Sequence, residues 1–134
     1  MMPKNILYVE DNKDQITFFS RVVTKMGDYN FLASEDGLSA IEILEKNKEF
    51  EPEMILLDIN LPGMNGFEIL QYVRTKTAYK NIPVVMFTSS DNEGDIKKSY
   101  DYGANAYLVK PESLQTLKEV LQDTFNFWLK HNRA

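Results

Sequence analysis

At 134 residues the chain has room for one domain of the usual size, roughly 100–200 residues. Apolar residues make up 43% of it, enough to fill a core, while a net charge of −5 and an isoelectric point near 4.9 remove the basic footprint that nucleic-acid binding leaves. The absence of cysteine excludes disulfides and thiolate metal sites. No apolar run approaches the roughly 20 residues that span a bilayer. The opening "MMPKNILYVEDN" turns acidic too early for a signal peptide. A single domain over residues 1–134 is expected, cytoplasmic, with neither a membrane nor a nucleic acid as partner.

The first apolar run is "NILYVE" (5–10), followed by Ile16, Phe19, Val23 and Met26 at helical spacing and a stop at Gly27. "NFLAS" (30–34) comes next, then Leu38, Ile41 and Leu44 three residues apart. "EMILLD" (53–58), "IPVVMFT" (82–88) and "AYLV" (106–109) are the later strand candidates, with Gly103 placed to end a helix before the last of them. Ser113 is positioned to cap a final helix carrying Leu114, Leu117, Leu121, Phe125 and Trp128 on one stripe. Strands alternating with helices predict an α/β fold, a doubly wound (βα)5 unit with a parallel sheet covered on both faces. The first, third and fourth runs are the most uniformly apolar and belong in its centre.

Sheets of this kind hold their sites beyond the carboxyl ends of the strands. The first run ends in Glu10-Asp11, the third in Asp58, the fourth in Thr88-Ser89, and Lys110-Pro111 follows the fifth. Taken singly, each has an ordinary reading as a cap, a turn or a solvated surface group. Asp58 is the least ordinary, because a charge closing a fully apolar run is costly unless paired. Glu10, Asp11 and Asp58 together would repel one another unless a cation neutralised them. An all-oxygen donor set suits Mg²⁺, with Mn²⁺ able to substitute. A carboxylate beside such a metal can attack phosphorus. Lys110 and the Thr88 hydroxyl would then meet the phosphoryl oxygens, which is most of what phosphoryl transfer asks of a protein. His131 reads as a surface residue near the tail.

Five motifs then fall in order: "ILYVEDN", "EDGLSAIEIL", "ILLDINLPGMNG" with its D-x3-P-x3-G spacing, "IPVVMFTSS" and "GANAYLVKP". With them the chain resembles a receiver domain of two-component response regulators over about residues 4–129. The resemblance implies a flavodoxin-like three-layer sandwich with sheet order 2-1-3-4-5. Asp58 would accept a phosphoryl group from a sensor histidine kinase or phosphorelay protein. Asp11 would bind Mg²⁺ directly, Glu10 would assist, and Asn60 would offer its backbone carbonyl. Thr88 and Lys110 would hold the phosphoryl oxygens, with a cis peptide between Lys110 and Pro111. Tyr107 would turn inward as the threonine moves. Glu in place of Asp at the head of the acidic pair, and Ser89 after Thr88, are small departures. "TSSDNEGDIKKSYDYGANAYLVKP" and the late "FNFWL" are similar to stand-alone receivers paired with phytochrome-type kinases.

The chain stops soon after the receiver motifs, so a regulator without an output domain is expected. Two other classes stay in view. A dehalogenase-type phosphatase also forms an aspartyl phosphate, but it needs a second aspartate where this chain has Asn60, and a cap domain. A flavodoxin-like FMN carrier needs a Ser/Thr/Gly-rich loop where this chain reads "EDNKDQ". Val120 and Phe127, seven residues apart and off the core stripe, together with Tyr100, Tyr102 and Tyr107, suggest a homodimer face that phosphorylation strengthens.

Overall fold

The apolar runs become β1 (Lys4–Val9), β2 (Tyr29–Ser34), β3 (Met54–Leu57), β4 (Val84–Thr88) and β5 (Ala106–Val109). Between and after them stand α1 (Lys13–Met26), α2 (Gly37–Lys46), α3 (Gly66–Lys76), α4 (Glu93–Asp101) and α5 (Leu114–Phe125). The structure is a computed structural model that describes residues 3–132. The ends of the predicted 1–134 domain, at residues 1–2 and 133–134, lie outside the described residues. No helix among the described residues is long and apolar enough to cross a membrane.

All five strands are parallel in the order β2-β1-β3-β4-β5, as expected. Every residue of β3 and β4 is buried, because a strand with neighbours on both sides and helices on both faces meets no water. β1 is buried over its last four residues, and β2 lies at the outer edge. Side chains alternate across the sheet and build two apolar layers. One gathers Leu7, Val9, Ile55 and Leu57 with α2 and α3. The other gathers Ile6, Tyr8, Leu56 and Phe87 with α1 and α5.

Each of the five α-helices opens with a side-chain cap in the connection that follows a strand. Asn12, Asp36, Asn65, Asn92 and Ser113 each accept a backbone N–H of the helix they open, worth about 1 kcal/mol apiece. Asn65 and Glu68 complete a reciprocal box at α3. α1 ends at Gly27, whose φ of 79° is the left-handed turn that glycine adopts without strain.

Three expectations about helix faces are corrected. Leu38 is 70% exposed, because it lies in the first turn of α2, where Gly37 rather than Leu38 faces the core. Leu114 is 43% exposed at the first turn of α5; the buried stripe starts at Leu117 and continues through Leu121 and Phe125. The single line through Val120 and Phe127 also breaks. After Phe125 the chain widens into a π-helical turn over Asn126–His131, with Asn132 N–H donating to Phe127 O at 2.7 Å. The wider turn brings both Trp128 and Leu129 against the α1/α5 layer, so an α-helical wheel no longer applies. Val120 is half-buried while Phe127 is 52% exposed.

Candidate functional site at the strand ends

Strand register places the carboxylates side by side. Val9 of β1 pairs with Leu57 of β3, so Glu10 and Asp58 each stand one residue beyond the same rung. The ladder continues a step further, with Glu10 N–H donating to Ser34 O at 2.9 Å and Asp58 N–H to Val9 O at 3.1 Å. At the other side Thr88 pairs with Val109, which puts Lys110 just past β5, where its N–H donates to Thr88 O at 2.8 Å. The sequence-predicted groups thus meet at one edge.

The loop after β3 is folded back tightly. Gly66 N–H donates to Ile59 O at 2.9 Å, and a Cβ at Gly66 would lie 2.3 Å from the backbone oxygen of Asp58. Only glycine permits that approach. Gly66 therefore lets the backbone pack directly against Asp58, a steric role that the sequence pattern did not disclose.

Lys110 is the hub. Its Nζ bonds Asp58 Oδ2 at 3.0 Å and makes a closer ion pair with Glu10 Oε1. All three side chains are nearly inaccessible to water. Glu10 also accepts Asn12 N–H at 3.1 Å, and Asp58 Oδ1 accepts Asn60 N–H at 3.4 Å. Asp11 is exposed, yet one oxygen from each of Glu10, Asp11 and Asp58 lies within 4.8 Å of the others. Three carboxylates face one ammonium. Burial pushes the Glu10 carboxyl above its ordinary value of 4.5, against the opposing pull of Lys110 and the Asn12 N–H. Under-neutralised hard oxygens in this number fit a small divalent cation.

Thr88 is fully buried, and its Oγ accepts Ser90 N–H at 3.5 Å. Tyr107 is half-buried, and its hydroxyl donates to Ser90 O at 2.8 Å. Ser90 therefore joins Thr88 to Tyr107, and its own hydroxyl donates to Asp95 Oδ2 at 2.7 Å. Nothing in the "TSS" run singled it out. Tyr8 was also missed: within an apolar strand it reads as ordinary β-sheet content, yet it is buried two residues before Glu10. Asp11 and Asn60 share the wall of an open cleft of about 530 Å³. The expected cis peptide at Lys110–Pro111 is not found. No cis bond occurs among the described residues, and this one keeps the trans form that X–Pro bonds prefer intrinsically. Tyr100 is exposed on α4, as a surface candidate should be.

Comparison with known proteins decides the family. Residues 6–122 match the response regulator receiver domain. The chain belongs to that family. It is 38% identical over 133 residues to response regulator Rcp1 of Synechocystis sp., covering 96% of this chain and 90% of Rcp1. The crystal structure of the phosphorylated cyanobacterial phytochrome response regulator RcpA is similar with a TM-score of 0.89 and 33% identity, covering 98% of this chain and 97% of that one. The Mn²⁺-bound form of Rcp1 gives 0.85 and 36%, covering 98% and 99%. This receiver is a two-component signalling module with the flavodoxin-like fold, and the phosphatase and flavin-carrier alternatives lose their footing.

Proposed function

We propose that Asp58 of this receiver accepts a phosphoryl group from the phosphohistidine of a sensor kinase or phosphorelay protein in the cytoplasm. The observation that carries this reading is Lys110, drawn from beyond β5 into a buried bridge between Asp58 and Glu10. A lysine so held fixes the Asp58 carboxylate at the mouth of the site, where a phosphoryl donor can reach it. As its oxygen bonds to phosphorus, the P–N bond to the donor histidine breaks and the imidazole keeps the electron pair. Lys110 then shifts toward the phosphoryl oxygens, and the buried Thr88 hydroxyl donates to them.

Asp11, Glu10, Asp58 and the Asn60 carbonyl are the groups that would hold Mg²⁺, or Mn²⁺ as in the related Rcp1 structure. When bound, the ion neutralises charge on the transferring group. The protein itself is a phosphoacceptor rather than an enzyme with turnover on outside substrates.

Movement of Thr88 toward the phosphoryl group pulls on Ser90 and so on the Tyr107 hydroxyl, which Ser90 holds. The signal reaches the face formed by α4, β5, α5 and the π-helical turn, where Tyr100 and Phe127 are exposed and Val120 half-buried. That face is the proposed contact with a second copy of the chain. Likeness to Rcp1 and RcpA supports a phytochrome-type kinase as the donor. The deciding experiment is intact-mass analysis after incubation with Mg²⁺ and a small phosphodonor. One acid- and base-labile phosphoryl adduct is expected in wild type and none in Asp58→Asn; an equal adduct in the variant sinks the assignment.

A further inference from the structure

α1 and α5 leave a groove of about 740 Å³ between them. On α5, Leu114, Lys118, Gln122 and Asn126 recur every fourth residue and line it as a stripe about 18 Å long. α1 supplies Arg21 and Lys25, one helical turn apart, together with Val22 and Met26. Lys130 of the π-helical turn adds to the wall. Asp28 and Tyr29, at the start of β2, line it as well, so the groove reaches the sheet edge opposite the phosphoacceptor.

The charges here run against those of the chain. Carboxylates outnumber cations overall, for a net charge of −5. Along the groove the balance reverses: Arg21, Lys25, Lys118 and Lys130 stand against the single carboxylate of Asp28. The α5 carboxylates, Glu119 and Asp123, lie off the stripe, and the one acid of α1, Asp14, sits in its first turn. Lys4, Lys97 and Lys110 find carboxylate partners, whereas Arg21, Lys25 and Lys118 form no ion pair among the described residues. Cations gathered along one cleft repel one another and focus a positive field into it, which a negatively charged occupant relieves.

The shape of the groove selects among anions. A lone phosphate needs donors that converge on one point, and these cations are spread along two helices. The side-chain amides of Gln115, Gln122 and Asn126 each offer a donor and an acceptor, the two groups that a peptide backbone presents in turn. Leu114 adds an apolar contact that is 43% exposed. Extended peptide of about five or six residues spans the stripe. The π-helical turn holds Asn126 and Lys130 on the groove wall, and such turns recur at functional sites.

We propose that this groove docks an acidic peptide segment of a partner protein, laid in extended form along α5 with its carboxylates on Arg21, Lys25 and Lys118. The groove shares no residue with Glu10, Asp11, Asp58 and Lys110 or with Tyr100, Val120 and Phe127. It is therefore a second surface, independent of whether Asp58 takes up phosphate.

The probe is a fluorescein-labelled hexapeptide of alternating glutamate and leucine, titrated with the full chain by fluorescence anisotropy. Saturable binding is expected at about 50 mM salt in spite of the like net charges, weakening severalfold at about 500 mM. The side-chain amide resonances of Gln122 and Asn126 should shift as the probe is added. Affinity is expected to fall about tenfold in Arg21→Glu/Lys118→Glu, where exposed ion pairs become repulsions. Lys46→Glu/Lys48→Glu changes the net charge equally at exposed positions outside the groove and should stay within about twofold of wild type. Circular dichroism checks the fold, and Arg21→Gln/Lys118→Gln, with a smaller loss in the same direction, serves if the reversed variant does not fold. Absence of binding to wild type overturns the proposal, as do equal losses in the two charge-reversed variants or equal binding of a lysine–leucine hexapeptide. Tighter binding of a single-stranded hexanucleotide than of the acidic peptide overturns it too, by marking a general polyanion site.

Discussion

The centre of the sheet and its β5 edge are built to different standards, although both deliver chemistry to the same few ångströms. β3 is flanked by β1 and β4, all its residues are buried, and it ends in Asp58 behind a loop locked by the Gly66 contact. β5 has a neighbour on one side only, its first three residues are half-buried, and Val109 is 45% exposed. α4 beside it buries Ser99 alone. The group proposed to receive phosphate is thus over-determined by packing, while Tyr107, proposed to report it, sits on the lightly packed edge, where displacement costs little. Charge, through Lys110, is what ties the two regions together.

The widest break in this comparison comes from truncating one apolar side chain in each region. Ile55→Ala, at the centre of β3, is expected to lower unfolding free energy by about 4 kcal/mol, combining lost burial with a cavity that dense surroundings cannot close. Val109→Ala should cost no more than about 0.5 kcal/mol, as exposed positions do. Urea unfolding measures both; similar costs would show that the edge is as firmly packed as the centre.

The same contrast explains what the residues alone disclosed. The central place of β1, β3 and β4 and the meeting of Glu10, Asp11, Asp58, Thr88 and Lys110 were legible because buried parallel strands leave long apolar runs that end beside conspicuous polar residues; the full strand order came only with the receiver resemblance. α3 and α4 were not delineated. α4 carries little apolar periodicity, since it shields almost nothing. The π-helical turn was hidden because Phe127, Trp128 and Leu129 satisfy an α-helical pattern as well. Spacing does not state which of two adjacent apolar residues the core will accept. Ser90 matters through the individual hydrogen bonds that join it to Thr88, Tyr107 and Asp95, and a pattern of apolar and polar letters does not record those.

Cutting the electrostatic tie is the next largest effect. Lys110→Met keeps the length of the side chain but leaves Glu10 and Asp58 facing each other without a cation. Loss of one partner from a buried ion pair costs about 3 kcal/mol. Millimolar Mg²⁺ should restore part of that stability and restore more in the variant than in wild type, because a bound cation supplies the missing charge. Thermal unfolding with and without Mg²⁺ reads this directly. Equal recovery in both proteins would mean that Lys110 does not neutralise the carboxylates.

A smaller effect, of opposite sign, is expected at Glu10. Its folded-state carboxyl is raised above the ordinary 4.5, chiefly by burial. The folded state therefore holds that proton more tightly than the unfolded chain does. The resulting stability is complete below the unfolded value and is lost as pH rises through the folded one. Metal-free Glu10→Gln lacks this loss. Its stability relative to wild type should climb as pH is raised from about 4.5, where an unfolded glutamate titrates, and level off once Glu10 has ionised in the fold. A difference that stays flat with pH would show that Lys110 and the Asn12 N–H fully offset the cost of burial.

The smallest effect on the monomer belongs to the outermost group. Phe127 is 52% exposed on the π-helical turn and meets Trp128 edge-on at 4.8 Å between ring centroids, while Trp128 and Leu129 carry the packing against the core. Phe127→Glu should therefore change unfolding free energy by no more than about 0.5 kcal/mol. At a self-contact the same change is severe, since two copies of an aromatic anchor become two like charges facing each other. Light scattering over a concentration series should show wild type pairing more tightly with beryllofluoride than without, and the variant staying monomeric in both. A wild type that remains monomeric even with the phosphoryl mimic would assign the face to a different protein. An unimpaired dimer in Phe127→Glu would move the contact away from the π-helical turn and toward Tyr100 on α4, the lightly packed edge on which the switch is proposed to act.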